Sequence, residues 1–163
     1  MQQIIVEDGS VVADANSYVS LAELRQLMDS YSVIPVEVTD DQLTRILFRA
    51  MRYIDAMNFK GEKVNPFHTT EWPRSDVAWA PYILWPSDKV PPQVKQALAL
   101  LASGVVNEGE EVLTPAQNIR REKVGQLEIE FYASGGIGGE SVWQKQAVDL
   151  LLPFCSFMKS TRV

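Results

Sequence analysis

Residues 39–57 read TDDQLTRILFRAMRYIDAM, and this stretch decides the fold class. Thr39 and Gln42 have the spacing of a capping box, in which the first side chain accepts a backbone N–H of the first helical turn. Beyond them, apolar residues recur every three or four positions and so share one helix face: Leu43, Ile46, Leu47, Ala50, Met51, Ile54 and Met57. The stretch therefore predicts a long amphipathic helix.

Three further segments also have helical periodicity. Ser20 and Glu23 form a second capping box, ahead of a helix of about ten residues. The Pro91-Pro92 pair suits the first turn of a helix that runs to about Asn107. A last helix is predicted from Val142 to Leu152.

Short β-hairpins are predicted around these helices. An Asp-Gly pair suits the tight turn of a hairpin over residues 4–13, and apolar alternation indicates another over residues 119–132. A two-stranded excursion around Ala80-Pro81 is predicted within residues 77–84. The expected fold is mainly α (α+β), a small bundle of about four helices with β-hairpin elaborations.

Length and composition indicate one domain over residues 1–163. The chain has 163 residues, of which 46% are hydrophobic, so it can bury a single core. We expect residues 135–139, which contain four glycines, to act as a hinge, and residues from about 154 to 163 to form a flexible tail. A single cysteine, no long apolar run and no signal-peptide pattern favour a cytoplasmic setting without membrane contact.

The sequence contains no motif that indicates catalysis. Its one histidine, His68, and its one cysteine, Cys155, lie far apart with no nucleophile, metal-binding or phosphate-loop pattern around them. We therefore predict a protein that is not an enzyme, with no catalytic residue, no metal site and no cofactor.

The charge pattern bears on partners. A net charge of −6 argues against a protein whose main task is to grip nucleic-acid phosphates. Arg45, Arg49 and Arg52 share one helix face, which is either solvated, with pairing such as Asp41 to Arg45, or meets phosphate or an acidic subunit. The pair Arg120-Arg121 is either a charged strand edge or a contact between subunits.

Two Trp-Pro pairs, at residues 72–73 and 85–86, predict a rigid and ordered connection between helices. Their tryptophans either fill the core or anchor an interface, where Trp and Arg are enriched. The residues that we predict to contact another subunit or partner are Arg45, Arg49, Arg52, Trp72, Arg74, Trp85, Arg120, Arg121, Phe154 and Phe157.

Several segments, taken in order, resemble one protein family over about residues 4–132. These segments are Val6-Glu7-Asp8-Gly9-Ser10, Ala15-Asn16-Ser17-Tyr18-Val19-Ser20, Arg49-Ala50-Met51-Arg52-Tyr53-Ile54, Phe59-Lys60-Gly61, Trp72-Pro73-Arg74-Ser75, Pro86-Ser87-Asp88, Pro91-Pro92-Gln93-Val94-Lys95-Gln96-Ala97 and Arg121-Glu122-Lys123-Val124-Gly125. They are similar to small tailed-phage and prophage proteins that are often labelled DnaT-like single-stranded DNA-binding proteins and are better understood as head–tail connector (adaptor, head-completion) proteins.

The resemblance implies a structural role in the virion. Such connectors form a ring, commonly a dodecamer, beneath the portal protein, extend the DNA channel and dock neck and tail-completion proteins. A connector can be a monomer in solution, and double-stranded DNA passes through it without specific binding. The implied location is the head–tail junction of the virion, with host cytoplasm during assembly.

The family label also leaves a second hypothesis, that of a single-stranded DNA-binding replication protein. Such a protein needs a basic groove interleaved with exposed aromatic residues. Trp72, Arg74, Trp79 and Trp85 are near one another in the sequence, but the chain as a whole is acidic.

Overall fold

The computed structural model describes residues 2–31, 37–113 and 141–156, together with the backbone of residues 122–124 and 127–129. In this part of the chain the long helices number four, which confirms a mainly α fold. They are α1, Leu21–Asp29; α2, Asp40–Asp55; α3, Pro92–Glu108; and α4, Val142–Leu151.

The predicted helix starts are formed by side-chain caps. The Thr39 hydroxyl accepts the Gln42 N–H at 3.3 Å, and the Gln42 side chain accepts the Thr39 N–H at 2.9 Å. At α1 the Ser20 hydroxyl accepts the Glu23 N–H at 3.1 Å. These bonds satisfy N–H groups that have no partner within the helix, so each helix begins where the sequence predicted.

Helix α3 lies at the centre of the core and contacts α1, α2 and α4. Its residues from Ala97 to Val105 are all buried. Helix α4 approaches α3 closely at Gly104, where an added Cβ would lie 2.7 Å from the Cβ of Trp143. Immediately after α3, a short 3-10 helix, Glu110–Leu113, packs against α3 and inserts Val112 into the core.

In the described residues, three short antiparallel strand pairs accompany the helices. Strands β1, Glu62–Lys63, and β2, Arg74–Ser75, pair with each other, as do β3, Ala78–Ala80, and β4, Ile83–Leu84. The third pair joins β5, Glu122–Val124, to β6, Leu127–Ile129. The second and third pairs fall within the predicted hairpins, whereas the sequence analysis did not predict β1 and β2.

The hairpin predicted over residues 4–13 is wrong. In place of a strand pair, the buried carboxylate of Glu7 accepts the N–H groups of Gly9, Val11 and Val12 at 2.7, 3.0 and 2.8 Å. Val6 forms its bridge with Ser17 instead. A side-chain acceptor thus takes the donors that a hairpin ladder would have used.

An aromatic cluster packs the Trp-Pro connection against the rest of the fold. Trp72 is fully buried and meets Phe59 and Phe154 edge to face, with ring centroids 5.5 and 5.8 Å apart. Trp79 stacks on the same Phe154, and Trp85 meets it edge to face. Phe154 comes from a second 3-10 helix at the end of α4, so this cluster joins the connection to the C-terminal part of the chain.

The start of the predicted flexible tail is packed, which corrects that boundary. The carbonyl of Phe154 accepts the Lys60 N–H at 2.8 Å, and the Ser156 N–H donates to Asn58 at 2.7 Å. Residues 157–163 lie outside the described part of the chain.

Candidate functional site

Three of the predicted interface residues are buried within the fold. Trp72 and Phe154 have no exposed surface, and Arg74 is 8% exposed. The Arg74 guanidinium donates to the carbonyls of Lys60 and Gly61, each at 2.8 Å, and to the Glu71 carboxylate at 2.7 Å. These three side chains hold the chain together, which corrects the prediction that a partner contacts them.

The other predicted interface residues fall into three groups. Trp85 is half-buried, and its indole N–H donates to the Lys89 carbonyl at 2.8 Å. Arg45, Arg49 and Arg52 are exposed on α2. Arg120, Arg121 and Phe157 lie outside the described residues, as does the predicted hinge at residues 135–139.

Several of the segments that resemble the family stabilise loops of the fold. Besides its three backbone bonds, Glu7 contacts His68 Nε2 at 2.7 Å, and Asn16 Oδ1 accepts the Ile5 N–H at 2.8 Å. Gly61 has a φ of +67°, and an added Cβ there would lie 2.0 Å from the Ser75 carbonyl oxygen. These segments fix loops against one another, and the roles visible for them are structural.

Four exposed large apolar side chains of the described chain lie together in one short hairpin, the apolar hairpin, which we define as residues 78–84. Tyr82 at its turn is fully exposed, Ile83 and Leu84 are 52% and 58% exposed, and Trp79 is 39% exposed. The sequence predicted this hairpin but did not mark these residues as a site. In the sequence, the feature that could have marked the hairpin as an exposed surface is the run of large apolar residues directly after Pro81.

The base of the apolar hairpin is fixed to the core. Val77 is fully buried, and its carbonyl accepts the Trp85 N–H at 2.8 Å where the two strands leave the core. The Trp79 ring lies parallel to Phe154, with centroids 6.4 Å apart. Exposed apolar residues on a rigid support are typical of a protein-binding surface.

A second surface, the arginine cleft, lies between α2 and the Glu110–Leu113 helix. It is an open cleft of about 520 Å³ lined by Arg49, Arg52, Tyr53, Ala56, Met57, Glu110 and Leu113. Arg49 forms an ion pair with Glu110. Neither Arg45 nor Arg52 forms an ion pair with any residue that the structure describes, so the pairing of Asp41 with Arg45 is not seen.

A third depression, of about 690 Å³, lies on the other side of Arg52 and contains Asp55. Burial raises the pKa of Asp55 to about 6, although the hydrogen bond from Tyr18 acts in the opposite direction. A carboxyl with a raised pKa in a cleft can serve as a general acid or base. Here, however, Asp55 accepts the Tyr18 hydroxyl at 2.6 Å, which gives it a structural role.

No group of three or more His, Cys, Asp or Glu side chains in residues 2–31, 37–113 and 141–156 is placed to hold a metal ion. Burial raises the pKa of the Cys155 thiol, which leaves less of the reactive thiolate at neutral pH. None of the helices in these ranges is long and apolar enough to cross a membrane.

Comparison with known proteins gives one match. The family model described as "Putative DnaT-like ssDNA binding protein" matches residues 2–163. No curated protein and no solved structure matches the chain significantly.

Proposed function

This chain belongs to the DnaT-like ssDNA-binding protein family, and we propose that it works as a head–tail connector of a tailed phage or prophage. The family description taken alone favours a second candidate, binding to single-stranded DNA, which is treated below. The observation that carries the connector proposal is the apolar hairpin, which projects large apolar side chains from a rigid base.

A partner that covers the hairpin would bury the exposed parts of Tyr82, Ile83 and Leu84. Full burial of an exposed aliphatic side chain stabilises by about 1.5–3 kcal/mol, and about half of that applies to Ile83 and Leu84, which are 52% and 58% exposed. Because Val77, Trp79 and Trp85 fix the base, little conformational entropy is lost when the hairpin docks. Such a surface suits repeated protein contacts in an assembly.

The proposed assembly is a ring of identical subunits, a dodecamer in the virion, placed beneath the portal protein. It extends the DNA channel and presents a surface to neck and tail-completion proteins. A net charge of −6 supports a channel along which double-stranded DNA slides, since a strongly basic lumen would retain it. The protein would be found at the head–tail junction and, before assembly, in host cytoplasm.

Co-expression with the portal protein of the same phage tests this proposal. Replacing Tyr82, Ile83 and Leu84 together by serine should abolish ring formation on the portal, as judged by negative-stain microscopy. The matched control is a triple variant that replaces three other exposed apolar side chains by serine: Val64→Ser, Phe67→Ser and Val142→Ser. Equal assembly by both triple variants would contradict a role for the hairpin.

The second candidate is a single-stranded DNA-binding protein, which the family description favours. Trp79 and Tyr82 supply exposed aromatic rings, and α2 supplies cations, but these groups belong to separate elements. Next to the hairpin in sequence, Asp76 and Asp88 are exposed and oppose a phosphate backbone, whereas Arg74 is buried. The Lys60 ammonium, which donates to the Ala78 carbonyl at 3.1 Å, is a cation in contact with the hairpin.

A salt-dependent titration with an oligonucleotide separates the two candidates. Binding that weakens steeply with salt and is lost in Trp79→Ala and Tyr82→Ala variants would establish the second function. The connector proposal expects no measurable binding even at low ionic strength.

A further inference from the structure

We propose that the arginine cleft binds an acidic peptide segment that carries an apolar anchor residue, supplied by a partner protein. This site lies on α2 and the Glu110–Leu113 helix, apart from the apolar hairpin. The proposal does not depend on the connector function, and it names the chemistry of one partner segment.

Helix α2 presents positively charged side chains beside the cleft. Arg45, Arg49 and Arg52 are separated by four and three residues, so their side chains project from one face of α2. All three are exposed, and Arg49 alone pairs with a described carboxylate. Guanidinium groups without an ion-pair partner among the described residues, on a chain of net charge −6, favour a negatively charged partner.

A carboxylate of the chain itself, that of Glu110, already contacts the cleft. Glu110 reaches Arg49 from the 3-10 helix, which the buried Val112 holds against the core. Guanidinium and carboxylate groups match in shape and can form paired hydrogen bonds. Glu110 thus shows within the chain how a partner's carboxylate can approach, while Arg52 still lacks a described ion-pair partner.

Part of the cleft is apolar and can accept an apolar side chain of the partner. Ala56, Met57 and Leu113 line it beside the Tyr53 ring, whose hydroxyl accepts a hydrogen bond from Gln144 at 2.8 Å. The volume of about 520 Å³ falls within the range of small-ligand pockets, about 300–1,000 Å³. Methionine adapts to differently shaped apolar groups, so a Leu or Phe side chain of the partner can enter.

The same features disfavour nucleic acid as the occupant. Glu110 lines the cleft and would repel a phosphate backbone, whereas a peptide can place its acidic groups toward Arg52 and, about two turns earlier on α2, toward Arg45. Among the described residues that line the cleft, only Tyr53 offers an aromatic ring on which a base could stack.

The test follows arginine side-chain and backbone NMR signals while a short synthetic peptide is added to the whole chain. The probe alternates Glu with Leu around a central Phe, and the matched control peptide has Gln in place of every Glu. We expect saturable shifts on α2 and the Glu110–Leu113 helix with the acidic peptide alone.

Single-residue variants then measure how much each charged side chain of the cleft contributes to peptide binding. Arg52→Gln should weaken binding about tenfold, whereas Lys89→Gln, which removes one exposed charge elsewhere, should leave it unchanged. Glu110→Gln should strengthen binding because it frees Arg49 from its internal partner.

Three results would overturn the inference. These are no saturable shift at about 1 mM peptide, equal binding of the Gln peptide, or shifts in the cleft with oligonucleotide but not with the acidic peptide. None of these results would affect hairpin-dependent assembly on the portal, so failure here and failure of the connector proposal are distinguishable.

Discussion

The Tyr18 hydroxyl donates a hydrogen bond to Asp55 Oδ1 at 2.6 Å and joins the segment before α1 to the end of α2. The same hydroxyl oxygen accepts the backbone N–H groups of Glu71 and Trp72, each at 3.1 Å. One buried phenol therefore ties three separate parts of the chain together next to the aromatic cluster.

The first prediction concerns the pH dependence of stability. Burial raises the pKa of Asp55 from 3.8 to about 6, so the folded chain holds this proton more tightly than the unfolded chain. The contribution of Asp55 to the free energy of unfolding should therefore be largest below about pH 4. It should fall by at most about 3 kcal/mol as pH rises through 6 and level off once Asp55 is ionised in both the folded and the unfolded chain.

Denaturant unfolding of wild type and Asp55→Asn at several pH values checks this. The variant keeps an oxygen for the Tyr18 hydroxyl but does not ionise, so it should lose that decline and be more stable than wild type at pH 7. Asp29→Asn, at an exposed position, serves as the control. An unchanged decline in Asp55→Asn would show that ionisation of another group causes it.

The second prediction is that Tyr18→Phe destabilises the fold by about 2–4 kcal/mol. The change keeps the ring but removes the acceptor of two backbone N–H groups and the donor to Asp55. Buried groups left without a partner cost about 1–3 kcal/mol each. Thermal and denaturant unfolding measure the effect, and a loss below 0.5 kcal/mol would mean that water replaces the hydroxyl.

The third prediction concerns Glu7, whose carboxylate accepts three N–H groups in a loop with no strand ladder. Glu7→Gln should destabilise the fold by about 2 kcal/mol because an amide has one acceptor oxygen instead of two. Asp8→Asn, at the next and exposed position, should cost less than about 0.5 kcal/mol. Hydrogen exchange at Gly9, Val11 and Val12 should accelerate in Glu7→Gln alone.

The fourth prediction is that Gly104→Val loosens the contact between α3 and α4. Its Cβ would lie 2.7 Å from that of Trp143 and 2.9 Å from Val112 Cγ1, so α4 or the 3-10 helix must shift. Overpacking of this kind costs about 1–3 kcal/mol. The matched Ser87→Val change in an exposed loop should be nearly neutral, and equal unfolding midpoints for the two variants would contradict the packing.

The helices could be predicted because their determinants are local. The capping box at Thr39 and the three- to four-residue apolar spacing lie within a single segment, and the structure begins α2 at Asp40 accordingly. The loop at Glu7 could not be predicted, since its buried carboxylate contacts His68, which lies sixty-one positions away in the sequence. Strands of two residues such as β1 carry no detectable periodicity.

The site was less predictable than the fold for a related reason. Trp72 and Arg74 have the composition of an interface, but whether they reach the surface depends on Phe59, Lys60 and Phe154. Conversely, a run such as Ile83-Leu84 is typical of a buried strand, and only the fold shows it exposed. The solvent exposure of a side chain is set by the tertiary structure, so a single sequence gives little information about it.

The measurement that tests the central claim most directly is electron cryo-microscopy of virions from the phage or prophage that encodes this chain. The connector proposal predicts a ring of copies beneath the portal, with each apolar hairpin buried against a neighbouring protein. Virions that assemble without the chain at the head–tail junction, together with salt-dependent binding of the free protein to single-stranded DNA, would contradict it.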